Sequence, residues 1–258
     1  MKLLYWLNEW GSLPQPEQQD RLPLAGHSLI DDVFVRYELV DVTKPLLFTF
    51  SPSGTNVQEQ ELHPNFAPWG YHFAQQQNIN IIAFQHLGVT NWFRSPALIA
   101  FLEPLSMLLS PFQCRLGYGW SRGGFAISAF ARLLQLDHVL LFYPVSTKNK
   151  MLVPWDDRPS TDIAQQFDWE GDYHDKDLGH AQGYIVYDPT DDIDRLHAKR
   201  YPELTHFQVV GMGHGLYSHD FNQLDFYNQV AEQFIHHQKI DIADFHEQAK
   251  HWFLKEDG

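Results

Sequence analysis

Cysteine is almost absent from this chain: Cys114 is the single one in 258 residues. No disulfide can form within the chain, and a lone cysteine in an apolar approach such as Cys114-Arg115-Leu116 reads as a buried, inert thiol. Basic residues are scarce as well, 18 Lys and Arg against 32 Asp and Glu, for a formal net charge of −14. That balance argues against nucleic acid and against anionic membrane surfaces as partners, since both need a basic face. Long apolar runs are missing, so no stretch has the length that spans a bilayer. Met1 to Trp10 begins like a signal peptide, but the apolar run breaks at Asn8 and Glu9 and no small-residue cleavage site follows. A cytoplasmic protein is therefore expected. There is no phosphate loop, no dinucleotide glycine pattern and no H-E-x-x-H spacing, so neither a cofactor nor a metal is implied.

What is present is a globular composition, 44% hydrophobic and 19% charged, in a length that suits one α/β domain over residues 1–258. Aromatics make up 15%, which suggests deep packing and an aromatic-lined pocket. After an irregular lead-in over residues 11–30, strands are expected at 32–40 and 46–50. A helix follows at 66–77, a fully apolar strand at 79–84 and a helix at 97–109. Further strands are expected at 138–145, 183–187 and 206–210, with helices over 190–200, 221–235 and near 245–252. Apolar strands without alternation are the pattern of parallel strands covered on both faces. Their alternation with helices predicts an α/β fold, a mostly parallel central sheet with helices on both faces.

The most informative stretch is Leu116-Gly117-Tyr118-Gly119-Trp120-Ser121-Arg122-Gly123-Gly124-Phe125. It fits G-x-S-x-G, with a strand-like approach before it and a largely apolar helical run after it. A serine on so sharp a strand-to-helix turn needs residues without a β-carbon on both sides, and the helix N-terminus then aims N–H groups at any negative charge that develops there. Taken with its context, the motif resembles the nucleophile elbow of the α/β-hydrolase superfamily.

The resemblance implies a set of further roles. Ser121 would be the nucleophile. The oxyanion hole would draw one N–H from Arg122 and one from the Ser51–Gly54 loop, with Ser53 as the candidate and Pro52 excluded because it has no N–H. The family order Ser, acid, His places the acid after the second strand beyond the elbow, in Asp188-Pro189-Thr190-Asp191-Asp192-Ile193-Asp194. Asp191 fits best, with Asp188 and Asp192 in reserve, although Asp191 and Asp192 equally suit a helix N-terminus. The base would be His214, flanked by Gly213 and Gly215 after the last strand, with His219 in reserve. Trp120, His86 and Arg94 are candidate substrate contacts. Residues 147–182, without periodicity and rich in Trp, Tyr and carboxylates, sit where the family inserts a lid, and they equally fit a solvated acidic loop. The expected activity is cleavage of a carboxylic ester, with an acylated sugar as one candidate. A peptidase, an acyltransferase and a non-catalytic binding protein on the same fold remain as alternatives.

Overall fold

The computed structural model describes residues 2–253 apart from 56, 64, 88–91, 159–168, 170 and 215–220. Eight strands among them form one sheet in the order β1-β2-β4-β3-β5-β6-β7-β8. The strands are β1 (Leu24–Ile30), β2 (Val33–Leu39), β3 (Leu46–Phe50), β4 (Asn80–His86), β5 (Arg115–Trp120), β6 (His138–Phe142), β7 (Gln182–Tyr187) and β8 (Thr205–Gln208). From β4 to β8 every neighbouring pair is parallel, while β2 runs antiparallel to both β1 and β4. The sheet is thus mostly parallel, as the unbroken apolar runs predict, and β3, β4 and β5 are buried along their whole length.

Helices cover both faces. Leu3, Leu7 and Trp10 of α1 (Lys2–Gly11), Leu98 of α4 (Pro96–Leu102), Leu105 of α5 (Leu105–Leu108) and Ile127 and Phe130 of α6 (Arg122–Leu134) pack into one core. Tyr71 and Ala74 of α3 (Tyr71–Gln76), Phe226 and Phe234 of α8 (Phe221–His237) and Phe245 of α9 (Ile242–Phe253) pack into the other. The strand period of two sorts β5 between them: Leu116, Tyr118 and Trp120 face the second core, and Gly117 and Gly119 face α6. Strand β4 lies on one side of β3 and β5 on the other. The winding therefore reverses between β3 and β5, and the crevice at their carboxyl ends is where an open α/β sheet accommodates ligands.

Several boundaries differ from the sequence reading. The lead-in over 11–30 is ordered: α2 (Gln15–Asp20) follows α1, and β1 forms the outer edge with alternating exposure. Its Ala, Gly, His and Ser carry little strand signal. The expected helix over 66–77 is confined to α3, beginning after the left-handed Gly70, because Pro68 and Gly70 are poor helix formers. The expected helix over 97–109 splits into α4 and α5 at Pro104. The helix over 190–200 shortens to α7 (Asp192–Ala198). Of residues 147–182, the stretch 147–181 lies between β6 and β7 and carries turns but, among the described residues, no helix or strand, while Gln182 already opens β7. They are not a solvated loop: Val153 and Asp156 are fully buried and Trp169 nearly so. Among the described residues no helix is long and apolar enough to cross a membrane.

Helix α1 is held chiefly by Trp10, fully buried, stacked on Phe112 and donating from Nε1 to the Gln18 carbonyl at 2.7 Å. Truncating a buried aromatic of this kind costs about 3–5 kcal/mol. Trp10→Ala should lower the urea-unfolding free energy by that amount, and a change under about 1 kcal/mol would mean that α1 is not part of the cooperative core.

Candidate active site

Ser121 sits at the carboxyl end of β5 with φ 49° and ψ −115°, in a region that a residue with a β-carbon seldom enters. Its backbone is fixed from both sides. The N–H donates to the Phe142 carbonyl at 3.0 Å, and the carbonyl accepts from Phe125 at 3.0 Å and Val145 at 3.2 Å. The flanking glycines let α6 approach. A β-carbon at Gly119 would lie 2.6 Å from the Gly123 carbonyl, and one at Gly123 would lie 2.1 Å from the Phe50 carbonyl oxygen. The result presents the Ser121 hydroxyl at the crevice.

His214 reaches it from the loop after β8. Its Nε2 is 2.9 Å from Ser121 Oγ. Its Nδ1 is 2.6 Å and 2.8 Å from the two carboxylate oxygens of Asp194, which lies in the first turn of α7. With Nδ1–H donated to that carboxylate, Nε2 is left as the acceptor for the serine proton. The loop bearing His214 is pinned by Asp188, whose Oδ2 accepts from the Gly211 and Gly213 N–H groups, both at 2.9 Å, and whose Oδ1 accepts from Thr190. His219 lies outside the described residues.

Across the crevice, the loop after β3 is tied down at both ends. The buried Arg122 guanidinium donates to the Pro52 carbonyl at 2.9 Å and to the Ser51 carbonyl at 3.3 Å, while Gln85 Nε2 donates to the Thr55 carbonyl at 2.6 Å. The cavity between these walls has a volume of about 600 Å³. Ser53, Gly54 and Thr55 border it on one side, Trp69, Trp120, Tyr143 and Leu224 on another, and Ser121 and His214 at its floor. Among the described residues no group of three or more His, Cys, Asp and Glu side chains is arranged to hold a metal ion.

Comparison with solved structures gives the same topology. Capsule O-acetyltransferase of Neisseria meningitidis serogroup A aligns with a TM-score of 0.55 at 12% identity, over 80% of this chain and 93% of that one. The Francisella virulence factor BioJ aligns with a TM-score of 0.52 at 15% identity, over 91% and 98%. EstE1, a thermostable carboxylesterase cloned from a metagenomic library, aligns with a TM-score of 0.50 at 13% identity, over 91% and 93%. The chain has the α/β-hydrolase fold. No protein-family model and no curated protein matches the sequence.

Within this α/β-hydrolase fold, Ser121, His214, Trp120 and Ser53 meet at one cavity, and Arg122 opens the helix beside it. Besides Asp188, four sequence candidates do not join them. Asp191 is the N-cap of α7, its Oδ1 accepting from the N–H groups of Ile193 at 3.0 Å and Asp194 at 2.9 Å. It is occupied in starting the helix, and it thereby presents Asp194, one turn on, to His214. Asp192 points outward and pairs with Arg195. His86 is fully buried at the end of β4, where its ring faces Asp32 at 3.4 Å and stacks edge-on against Phe93. Arg94 lies over Trp169 at 4.6 Å and donates to the Asp172 carbonyl, bracing the 147–182 segment. Capping chemistry carries the signal that finds Asp194: an aspartate at the N-cap spends its carboxylate on the N2 and N3 amides, and of the two acids left in the turn Asp192 at N1 is exposed while Asp194 at N3 is buried.

The sequence reading also missed a buried polar cluster behind Ser121, His214 and Asp194. Asp156 accepts from Lys148 at 2.8 Å, Arg158 at 3.1 Å and His197 at 3.0 Å. Burial alone would push the Asp156 carboxyl up, but the His197, Arg158 and Lys148 hydrogen bonds outweigh it and hold the group well below the usual carboxylate range. His197 is fully buried, and burial drives its imidazole down to about 4 against the pull of Asp156. Its Nδ1 faces the Ser146 backbone N–H at 3.1 Å, a group that can only donate, so this nitrogen must be the unprotonated one. The folded value lies below the unfolded 6.5. As pH falls, the unfolded chain takes up this proton first, so the contribution is complete above about 6.5 and drains away toward about 4. The full difference corresponds to about 3 kcal/mol. Unfolding free energy should therefore fall across that window, and His197→Gln should flatten the fall. Parallel curves for the two proteins would show that the imidazole is not held neutral.

Proposed function

We propose that the protein is a serine hydrolase that cleaves a carboxylic ester through Ser121, His214 and Asp194. The observation that carries this reading is the continuous chain of contacts from Ser121 Oγ to His214 Nε2 at 2.9 Å and from His214 Nδ1 to Asp194 at 2.6 Å, at the floor of a cavity. His214 takes the hydroxyl proton as Oγ attacks the acyl carbon. Asp194 fixes the tautomer and stabilises the imidazolium. The N–H of Arg122 and one from residues 53–55 hold the oxyanion. His214 then protonates the leaving alcohol, and water enters by the same route to release the acid from the acyl-enzyme.

The described walls of the cavity are Pro52, Ser53, Gly54, Thr55, Trp69, Trp120, Tyr143 and Leu224. None carries a charge at neutral pH, which supports an uncharged substrate. The aromatic lining, with Trp69 and Trp120 in edge contact at 5.4 Å, suits a flat or ring-shaped group, an acylated sugar among them. The likeness to a capsule O-acetyltransferase favours acyl transfer as a second reading, in which a sugar hydroxyl replaces water as acceptor.

Hydrolysis of p-nitrophenyl acetate and butyrate, with and without added sugar alcohols, tests both. Ser121→Ala should lose about a million-fold in kcat and Asp194→Asn roughly ten-thousand-fold. Asp191→Asn, which still caps α7, should stay within about threefold of wild type. Folded wild type with no ester turnover would favour a binding protein on this fold. Equal losses in the Asp191 and Asp194 variants would remove Asp194 from its role.

A further inference from the structure

We propose that Arg158, carried by the segment between β6 and β7, is a positioning residue for the triad: it holds the Asp194 carboxylate in place and competes with His214 for its charge. The proposal rests on the Ser121–His214–Asp194 reading. Arg158 Nη1 lies 3.0 Å from Asp194 Oδ1 and 3.1 Å from His214 Nδ1. The oxygen that accepts from His214 therefore accepts from the guanidinium as well. The rest of the fork is fixed elsewhere, Nε at 3.1 Å from Asp156 Oδ1 and Nη2 at 3.4 Å from Asp156 Oδ2. Both carboxylate side chains are fully buried, and a desolvated carboxylate is stable only when paired.

A guanidinium that served packing alone would be satisfied by Asp156. Here the planar fork spans two acids and locks the triad acid to the lid segment, a geometry an ammonium cannot copy. Among the described residues, few charges surround the guanidinium. Lys148 and Asp156 come from the same segment, with Lys150 Nζ bonded to the Asp156 carbonyl. His197 comes from α7, neutral at physiological pH, and Tyr143 from the end of β6, its ring 5.1 Å from that of His214. At rest Lys148, Lys150 and Arg158 stand around Asp156 and Asp194. When the Ser121 proton moves to Nε2, an imidazolium forms beside the guanidinium, and one carboxylate faces both. The cation thus holds Asp194 through the same oxygen that faces His214.

Arg158→Met removes the charge and keeps the stem, and Arg158→Lys keeps the charge and loses the fork. Two readouts separate positioning from packing: the pH profile of kcat/KM for p-nitrophenyl acetate, and the ¹⁵N imidazole shifts of His214 followed through pH. Arg158→Met should lower plateau kcat about tenfold with KM within about twofold. Its acid limb and its His214 protonation midpoint should both rise by about one pH unit. Arg158→Lys should return the midpoint to the wild-type position and recover only part of kcat. If Arg158→Met does not fold, Arg158→Gln, neutral and still able to donate, gives the same upward midpoint. A folded neutral variant whose midpoint matches wild type, or whose plateau kcat is unchanged, overturns the proposal. The imidazole titration needs no turnover. Failure of wild type to hydrolyse any ester would count against the hydrolase reading, and the midpoint would still decide the coupling.

Discussion

The site depends on one constraint, the close contact of α6 with the carboxyl ends of β3 and β5. That contact exists because Gly119 and Gly123 have no β-carbons: either one would collide with a carbonyl group. Once the helix is seated, the chain between Trp120 and Arg122 has room only for a turn at φ 49°. Such a backbone stores on the order of 1–3 kcal/mol, offset by three hydrogen bonds to the Ser121 main chain and by the buried, largely apolar face of α6. The same seating brings Arg122 under the loop after β3 and anchors Ser51 and Pro52. Ser121 and the opposite wall of the cavity are therefore set by a single packing event.

Four aspartates in seven residues after β7 divide the remaining work. Asp188 ties the end of the strand to the His214 loop, Asp191 starts α7, Asp192 faces solvent with Arg195, and Asp194 turns inward to His214. Each fate follows from position: the strand end, the N-cap, and opposite sides of the first helical turn. Asp194 is then paired with Arg158, so the segment between β6 and β7 contributes a charge beside the site.

The fold was legible because its signals are local and redundant. Apolar strands without alternation gave β3, β4 and β6, and the glycine-flanked serine and the histidine beside Gly213 lie where strand ends must put them. Strand β1 was not legible, since Leu24-Ala25-Gly26-His27-Ser28 has little β-propensity and is held by pairing with β2. Asp191 was the expected partner of His214 and Asp194 stands there instead, because a carboxylate spent on capping and one aimed at an imidazole look alike without the helix register. His86 and Arg94 sit on the side of the sheet ends where a cavity was expected, yet both turned to structural partners, Asp32 in one case and Trp169 in the other. Arg158 left no local trace of its contacts with Asp194 and His214, which are 36 and 56 residues away.

The most direct test of the account is the position at which a fluorophosphonate becomes attached. A phosphonate ester traps the oxygen that an imidazole deprotonates beside donors for the oxyanion. Peptide mapping by mass spectrometry should find one adduct, on Ser121, and none on the His214→Ala protein. An adduct on another residue, or none on folded wild type, would contradict the assignment of Ser121 as an activated nucleophile.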